Sequence, residues 1–547
     1  MAKESSEIYI AGIELVRESA TPLYSQLFDQ LRAMILNGRL RAGERLPAGR
    51  SLAKELGVAR VIVTLAYEQL MMEGYVSGKT GAGTFVADPL PEHLLQAKPV
   101  KRPAKGTAVQ AGGRTTAVGG TSGAEVGGVA PVGSGKGRPR MAEVSGISGA
   151  GPGGVTTGAN DVKTIYGQEK IDHQPGGRIG TVPFQIGMPA LDKFPYKVWQ
   201  QVGNQILKDL KVAHLGYEDT LGYWNLRKAI AAYLRIARAV TCEAEQVIVV
   251  TGSQQGLNLI VAALLNAGDK VWMEDPGYHG AKAAFKQAGA QLCPVPVTQE
   301  GINVDYGIQH FADAKMAYVT PSHQFPMGYT LSAARRSRLL AWAAERDSWI
   351  LEDDYDSEFR YEGRPLPSLQ GMDGHGRVIY TGTFSKVMFP GMRLAYIVLP
   401  SVEMVARFRK LKDNLDRQSP VMEQLMLCAF MEGGYFLRHI RKMRLLYAER
   451  QQQLLRLVKK HLKGSLQVHA TPSGMHLICW LPEGIDLKRF REATKREQVA
   501  VSFVSSFTLQ HALRPAIMLG FTAYTEYRMK QAVERLAVCL EEGMKGE

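Results

Sequence analysis

Lys386 stands just after the apolar run VIYTG, in the stretch TGTFSKVMFPGMRLAY, and Arg393 follows seven residues later. Such a lysine is an amine able to condense with an aldehyde, and such an arginine is a fork for a phosphate. Comparable groups follow other apolar runs. Thr251-Gly252-Ser253-Gln254-Gln255 comes after VIVV and opens a helical pattern, where backbone N–H groups and the helix dipole suit a phosphate. Tyr278, in EDPGYHG, follows KVWMED and offers a ring for stacking. Asp353 and Tyr355 close the run WILEDDY with a carboxylate and a phenol. An aldehyde cofactor with a phosphate and a pyridine ring, pyridoxal 5'-phosphate, needs these parts: a Schiff-base lysine, a carboxylate for the ring nitrogen, a phenol near the ring oxygen, phosphate donors and a stacking ring.

The elements that must position them read as α/β. The short runs VIVV (247–250), KVWMED, CPVPV, MAYVT (316–320), WILEDD (349–354), VIYTGT (378–383) and AYIVLP (395–400) alternate with amphipathic stretches such as QQGLNLIVAALL. That alternation predicts a mainly parallel sheet covered on both faces. Ligands of such sheets bind beyond the carboxyl ends of the strands, where these residues fall.

A different chemistry is written near the N-terminus. Pro22 starts a helix in which Leu23, Leu27, Leu31 and Ile35 recur at every fourth position, and Asn37-Gly38 ends it. A short helix over 51–56, a turn at Gly57 and a third helix over 60–73 follow, then the glycine-turned hairpin YVSGKTGAGTFVAD. This is a winged helix-turn-helix, whose third helix would enter the major groove of DNA. On that helix Ile62, Leu65, Ala66, Gln69 and Leu70 share one face, and Arg60, Thr64 and Tyr67 the other. Arg50 and Arg60 are expected to contact phosphate or guanine, Thr64 and Tyr67 backbone or base, and Lys79 sits at the wing tip.

The stretch LPAGRSLAKELGVARVIVTLAYEQLMMEGYVSGKTGAGTFV resembles the winged helix of the GntR family, departing at Ala48-Gly49 and Val61-Ile62, where hydroxyl residues are common. The later motifs, GTFSKxxxPGxR above all, resemble class I aminotransferases of fold type I, which also carry a small C-terminal α+β subdomain. That resemblance implies that Lys386 forms the Schiff base and that Asp353 pairs with the pyridinium nitrogen. Tyr355 would bond the ring oxygen, and Ser253, Gln254, Thr383 and Arg393 would hold the phosphate. Tyr217, in YEDTLGYWNLRKAI, would reach the phosphate of a partner subunit. In TPSHQFPMG, His323 or Gln324 takes the place of an asparagine near the ring oxygen. Met518 stands where such enzymes place the arginine for a substrate carboxylate, and Arg514 lies four residues earlier.

Together the two parts resemble the MocR/GabR regulators. The implied protein is a head-to-tail homodimer that binds a double-stranded DNA operator. It would sense pyridoxal phosphate itself, or an amine or amino acid, by aldimine exchange at Lys386, without net catalysis. A working aminotransferase with an appended DNA-binding head is the alternative.

Residues 1–90 are expected to form the DNA-binding domain, 91–180 a flexible glycine-rich basic linker, and 181–547 the cofactor-binding effector domain. From Gly106 to Gly158 there are 17 glycines in 53 residues, too few apolar side chains to offset ordering entropy. Within it Lys136-Gly137-Arg138-Pro139-Arg140 resembles the core of a minor-groove AT-hook. The net charge of +14 excludes an acidic solvating protein and suits an anionic partner. It does not locate the DNA reader: residues 1–90 hold ten basic and ten acidic side chains. The five cysteines, odd in number and without CxxC spacing, argue against disulfides and a metal site. With no signal-like N-terminus and no long apolar run, a cytoplasmic protein without membrane contact is expected.

Overall fold

The computed structural model describes residues 12–16, 23–72, 75–79, 83–87, 182–362, 367–462 and 464–545. The glycine-rich linker and its Lys136–Arg140 stretch lie outside the described residues.

In the head, α1 (Leu23–Leu36), α2 (Gly49–Glu55) and α3 (Arg60–Met72) precede the antiparallel hairpin of β1 (Val76–Lys79) and β2 (Gly83–Val86). Spacing by four puts Leu27, Leu31 and Ile35 on one buried stripe of α1. That stripe packs with Leu52, Val63, Ala66, Leu70 and Val86 in one core. Gly38 and Gly57 turn the chain after α1 and α2, both at positive φ. This is the winged helix-turn-helix expected from the spacing.

The large domain is built on an eight-stranded sheet. Its strands are β3 (Val247–Val250), β4 (Lys270–Asp275), β5 (Gln291–Thr298), β6 (Gly301–Ile302), β7 (Met316–Val319), β8 (Trp349–Asp354), β9 (Val378–Thr383) and β10 (Ala395–Val398). Their order is β3-β10-β9-β8-β7-β4-β5-β6. The neighbours from β9 through β8, β7 and β4 to β5 are all parallel, whereas β10 and β6 pair antiparallel. β3, β7, β9 and β10 are buried along their whole length, as expected of strands covered on both faces. A smaller antiparallel sheet, of β11 (Gln467–His469), β12 (His476–Trp480), β13 (Ser502–Phe503) and β14 (Ala516–Gly520), packs with the helices Leu487–Arg496 and Glu526–Met544. That is the C-terminal α+β unit. All five cysteines are buried and free. Among the described residues no helix is long and apolar enough to cross a membrane, and no cluster of His, Cys, Asp or Glu could hold a metal.

Candidate cofactor site and DNA-reading head

β8 carries Asp353 and Asp354 side by side, and strand geometry sends them to opposite faces of the sheet. Asp353 is buried and accepts hydrogen bonds from the Tyr318 hydroxyl at 2.7 Å and the Thr381 hydroxyl at 3.3 Å. No cation bonds it among the described residues. Burial pushes its carboxyl up to about 6, against the two hydrogen bonds that favour its charge. It is therefore a carboxylate lacking a positive partner, and a protonated pyridine nitrogen would supply one.

Lys386 lies in the short helix Phe384–Val387 directly after β9. Its Nζ donates to the Gly187 carbonyl at 3.0 Å, and a Cβ at Gly187 would stand 2.7 Å from that nitrogen. Burial holds the Lys386 ammonium below the usual lysine range, with Asp356 opposing. A buried amine shifted in that direction is more readily neutral, the state that attacks an aldehyde.

The phosphate end is equally defined. Gly252, at φ +131°, lies directly before the helix Ser253–Leu264. A Cβ there would meet Arg393 Nη2 at 2.7 Å, so only glycine lets that guanidinium close over the helix start. The first-turn N–H groups, led by Ser253 and Gln254, have no intrahelical acceptor and point the helix dipole the same way. Gln254 donates to the Gly280 carbonyl at 3.1 Å, next to the Tyr278 ring. Tyr278 packs edge-to-face on Phe325, and its phenol feels both Asp353 and Arg393. Thr383 caps the Lys386 helix by accepting from the Ser385 N–H at 3.2 Å.

His323, 2% exposed, places Nδ1 at 2.9 Å from the Tyr355 hydroxyl and 3.0 Å from the Asp356 carboxylate. Nε2 is buried without a partner, against Gly328 and Gly474, where a Cβ would strike the ring. Gln324 is taken up by Glu274 and the carbonyls of Pro276 and Phe325. Of the two candidates, His323 is thus the one that meets Tyr355.

The fold brings Ser253, Gln254, Tyr278, His323, Asp353, Tyr355, Thr383, Lys386 and Arg393 to one end of the sheet. Tyr217 is apart from them, 78% exposed with Arg417 over its ring. Tyr318, Thr381, Asp356, Ser385 and Gly187 were not foreseen. Tyr318 stands within the run MAYVT and Asp356 directly after WILEDDY, but only the folded sheet shows which of several polar groups turns inward. Met518 is fully buried in β14, and Arg514 donates to Gln467 and the Leu481 carbonyl.

In the head, Arg50 on α2 and Arg60 at the start of α3 are exposed. Thr64 lies on α3, and Lys79 at the end of β1 pairs with Gly83. Tyr67 corrects the expected face. It is 8% exposed, packs in the head core, and donates its hydroxyl to the Pro47 carbonyl at 3.0 Å. The buried stripe of α3 runs through Val63, Ala66, Tyr67 and Leu70, so Tyr67 ties the helix to the preceding loop and does not face DNA.

Residues 181–536 match the family of aminotransferases of class I and II, and residues 23–86 match the gntR family of bacterial regulatory proteins. The chain is 33% identical to the probable rhizopine catabolism regulatory protein MocR of Rhizobium meliloti, over 95% of this chain and 94% of that one. It is 28% identical to the pyridoxine biosynthesis transcriptional regulator PdxR of Corynebacterium glutamicum, over 86% of this chain and 87% of that protein. Among solved structures, the kynurenine aminotransferase of Pyrococcus horikoshii in complex with PMP superposes with a TM-score of 0.62 and 28% identity. That match covers 67% of this chain and 92% of that one. A winged helix joined to a fold of this class defines a transcriptional regulator with an aminotransferase-like domain. The chain belongs to the MocR-type regulators of the GntR family, and its aminotransferase-like domain is one for pyridoxal phosphate.

Proposed function

We propose that the protein reads an amine, or pyridoxal phosphate itself, at Lys386 and passes the result to its DNA-binding head. The observation that carries this reading is a complete cofactor site in a chain whose usual carboxylate-anchoring position is Met518. When bound, the cofactor supplies an aldehyde that amines capture reversibly and a ring that accepts electrons. The chain's own residues do the rest. Asp353 holds the ring nitrogen, and Tyr355, oriented by His323 and Asp356, bonds the ring oxygen. Ser253, Gln254, Thr383 and Arg393 retain the phosphate, and Tyr278 stacks on the ring. The Lys386 amine would hold that aldehyde, and an effector amine would draw on the same chemistry, so attachment of the large domain to the cofactor would depend on effector concentration.

Arg50, Arg60, Thr64 and Lys79 form the DNA-reading surface in this proposal. The working form is a cytoplasmic homodimer on a double-stranded operator. The exposed apolar residues Leu207, Val212, Leu215 and Tyr217 support an interface there, which would bring Tyr217 to the partner's phosphate site. A second reading, turnover as an aminotransferase, is favoured by the intact set around Lys386.

Borohydride reduction of the cofactor-loaded protein, followed by peptide mapping, should fix the cofactor to Lys386. Operator affinity is then titrated with pyridoxal phosphate alone and with candidate amines, while keto-acid release is followed. A change in affinity or footprint without keto acid supports sensing. Stoichiometric turnover supports the enzyme. No response of affinity or footprint to either ligand rejects sensing.

A further inference from the structure

On the opposite side of β8 from Asp353 a second polar cleft opens, lined by Arg238, Ser322, Thr330, Arg336, Ser357, Arg360 and Ser473. It encloses about 270 Å³ of free space, part of it open to solvent. Three guanidinium groups and four hydroxyl residues form its wall, and no carboxylate is among them. The carboxylates behind it are already engaged, and Arg360 has none among the described residues. Asp354 pairs with Arg238 at 2.7 Å and also accepts from Tyr380. Arg336 is buried and donates to three neutral carbonyls, those of Leu331, Pro367 and Pro321. The carboxylates that act on it are Asp354, already paired with Arg238, and Glu352, which accepts from the N–H groups of Leu369 and Gln370. Arg360 has no carboxylate partner among the described residues, and its Nε makes no hydrogen bond.

Two hydroxyls are also left open. The Oγ atoms of Ser357 and Ser473 are buried without partners. Buried polar atoms in native proteins are nearly always satisfied, so such a group asks for a missing partner. Water could satisfy the two serines. It could not offset the charge of Arg360, whose guanidinium is pulled below the usual arginine range by burial and by Arg238; burial lowers Arg336 as well, with Glu352 and Asp354 opposing. A small anion with several acceptor oxygens answers both demands at once.

We propose that this cleft is a binding site for a compact oxyanion, held by Arg360 and Arg336 with Ser357 and Ser473. Its chemistry fits inorganic phosphate, sulfate or the acid group of a small effector. The site is separate from the cofactor's phosphate cradle at Gly252 and Arg393, and it does not depend on the sensing role proposed for Lys386. Its wall is nevertheless joined to the cofactor site. Ser322 precedes His323, Ser357 follows Asp356, and Ser473 precedes Gly474 at the His323 ring. An anion in the cleft would therefore bear on the pair that orients Tyr355.

The test uses the full chain loaded with cofactor, so that the first phosphate site is filled. Inorganic phosphate, sulfate and acetate are titrated by calorimetry, with chloride at matched ionic strength as the control. Wild type should bind phosphate and sulfate. Arg360→Gln, and separately the double variant Ser357→Ala with Ser473→Ala, should weaken binding about tenfold or more, the loss expected for charge-assisted hydrogen bonds. Arg360→Lys should restore part of it. Binding of acetate with the same dependence on Arg360 identifies an effector's acid group as a second source. Its absence confines the site to inorganic oxyanions. Should Arg360→Gln lose its cofactor absorbance or melt early, the serine variant carries the test. Equal binding by wild type and variants, a response matched by chloride, or no binding by wild type overturns the proposal.

Discussion

The two sides of β8 handle neighbouring aspartates in opposite ways. Asp354 meets a guanidinium at 2.7 Å through Oδ2, which also accepts from Tyr380, although its Oδ1 is buried without a partner. Asp353 meets only a phenol and a threonine hydroxyl, and burial pushes it up to about 6. A protein gains stability from completing such a pair and gains a binding site from leaving one incomplete. The Asp353 side is thus expected to be costly when empty and strong when filled, and the Asp354 side to be structural at the strand itself.

The sharpest break between the sides is Lys386→Ala. It should abolish borohydride-stable attachment of the cofactor entirely, as read by mass spectrometry, while leaving the empty protein folded. Next in size is Asp354→Asn, which leaves Arg238 buried and unpaired and should cost about 3–5 kcal/mol in denaturant unfolding. Asp353→Asn should do the reverse. The empty protein keeps its stability or gains some, and cofactor affinity falls about ten- to hundredfold in fluorescence titration. Equal unfolding costs for the two asparagine variants would erase the distinction.

A pH series sharpens it further. Asp353 rises from 3.8 to about 6 on folding, and Glu274 from 4.5 to about 7, both through burial. A carboxyl raised in this way favours the folded state below its unfolded value, and that contribution is lost as pH rises through the folded value. The melting temperature of the empty protein should therefore fall between about pH 4 and pH 7. If the cofactor's ring nitrogen pairs with Asp353 as proposed, the bound form would keep that carboxylate charged, and the fall should be shallower. In Asp353→Asn the empty protein should already show the shallower curve.

The smallest effects separate core from DNA surface within the head. Tyr67→Phe should lose about 1 kcal/mol of stability with the Pro47 hydrogen bond and leave operator affinity unchanged. Arg60→Ala should leave melting unchanged. It should weaken DNA binding, and the slope of log affinity against log salt should drop by about one.

How much of this was legible depended on whether a residue's role is local. Lys386, Asp353, Tyr278 and the Gly252-Ser253 turn each follow their own strand, so strand patterning plus residue type located them. The choice of Asp353 over Asp354 also followed from the motif. Tyr67 was misread because its spacing from Arg60 suggested one helix face, whereas the loop at Pro47 packs across that face and buries it. Tyr318 and Asp356 escaped because they act on other side chains, through the sheet and the His323 loop. The arginine cleft was invisible for the same reason in stronger form. Arg238, Arg336 and Arg360 come from three distant segments, and each alone reads as an ordinary surface charge.

The five buried thiols have a practical consequence. Burial pushes Cys242, Cys428 and Cys479 up to about 12 and Cys539 up to about 11, and raises Cys293 as well. Thiolate, the form that alkylates and oxidises, is therefore scarce at every native cysteine. The wild-type chain is a ready background for site-directed spectroscopy. A single cysteine introduced at an exposed position such as Val538 would take a maleimide dye selectively, and in the proposed dimer the distance between the two dyes could be followed as effector is added without removing any native cysteine.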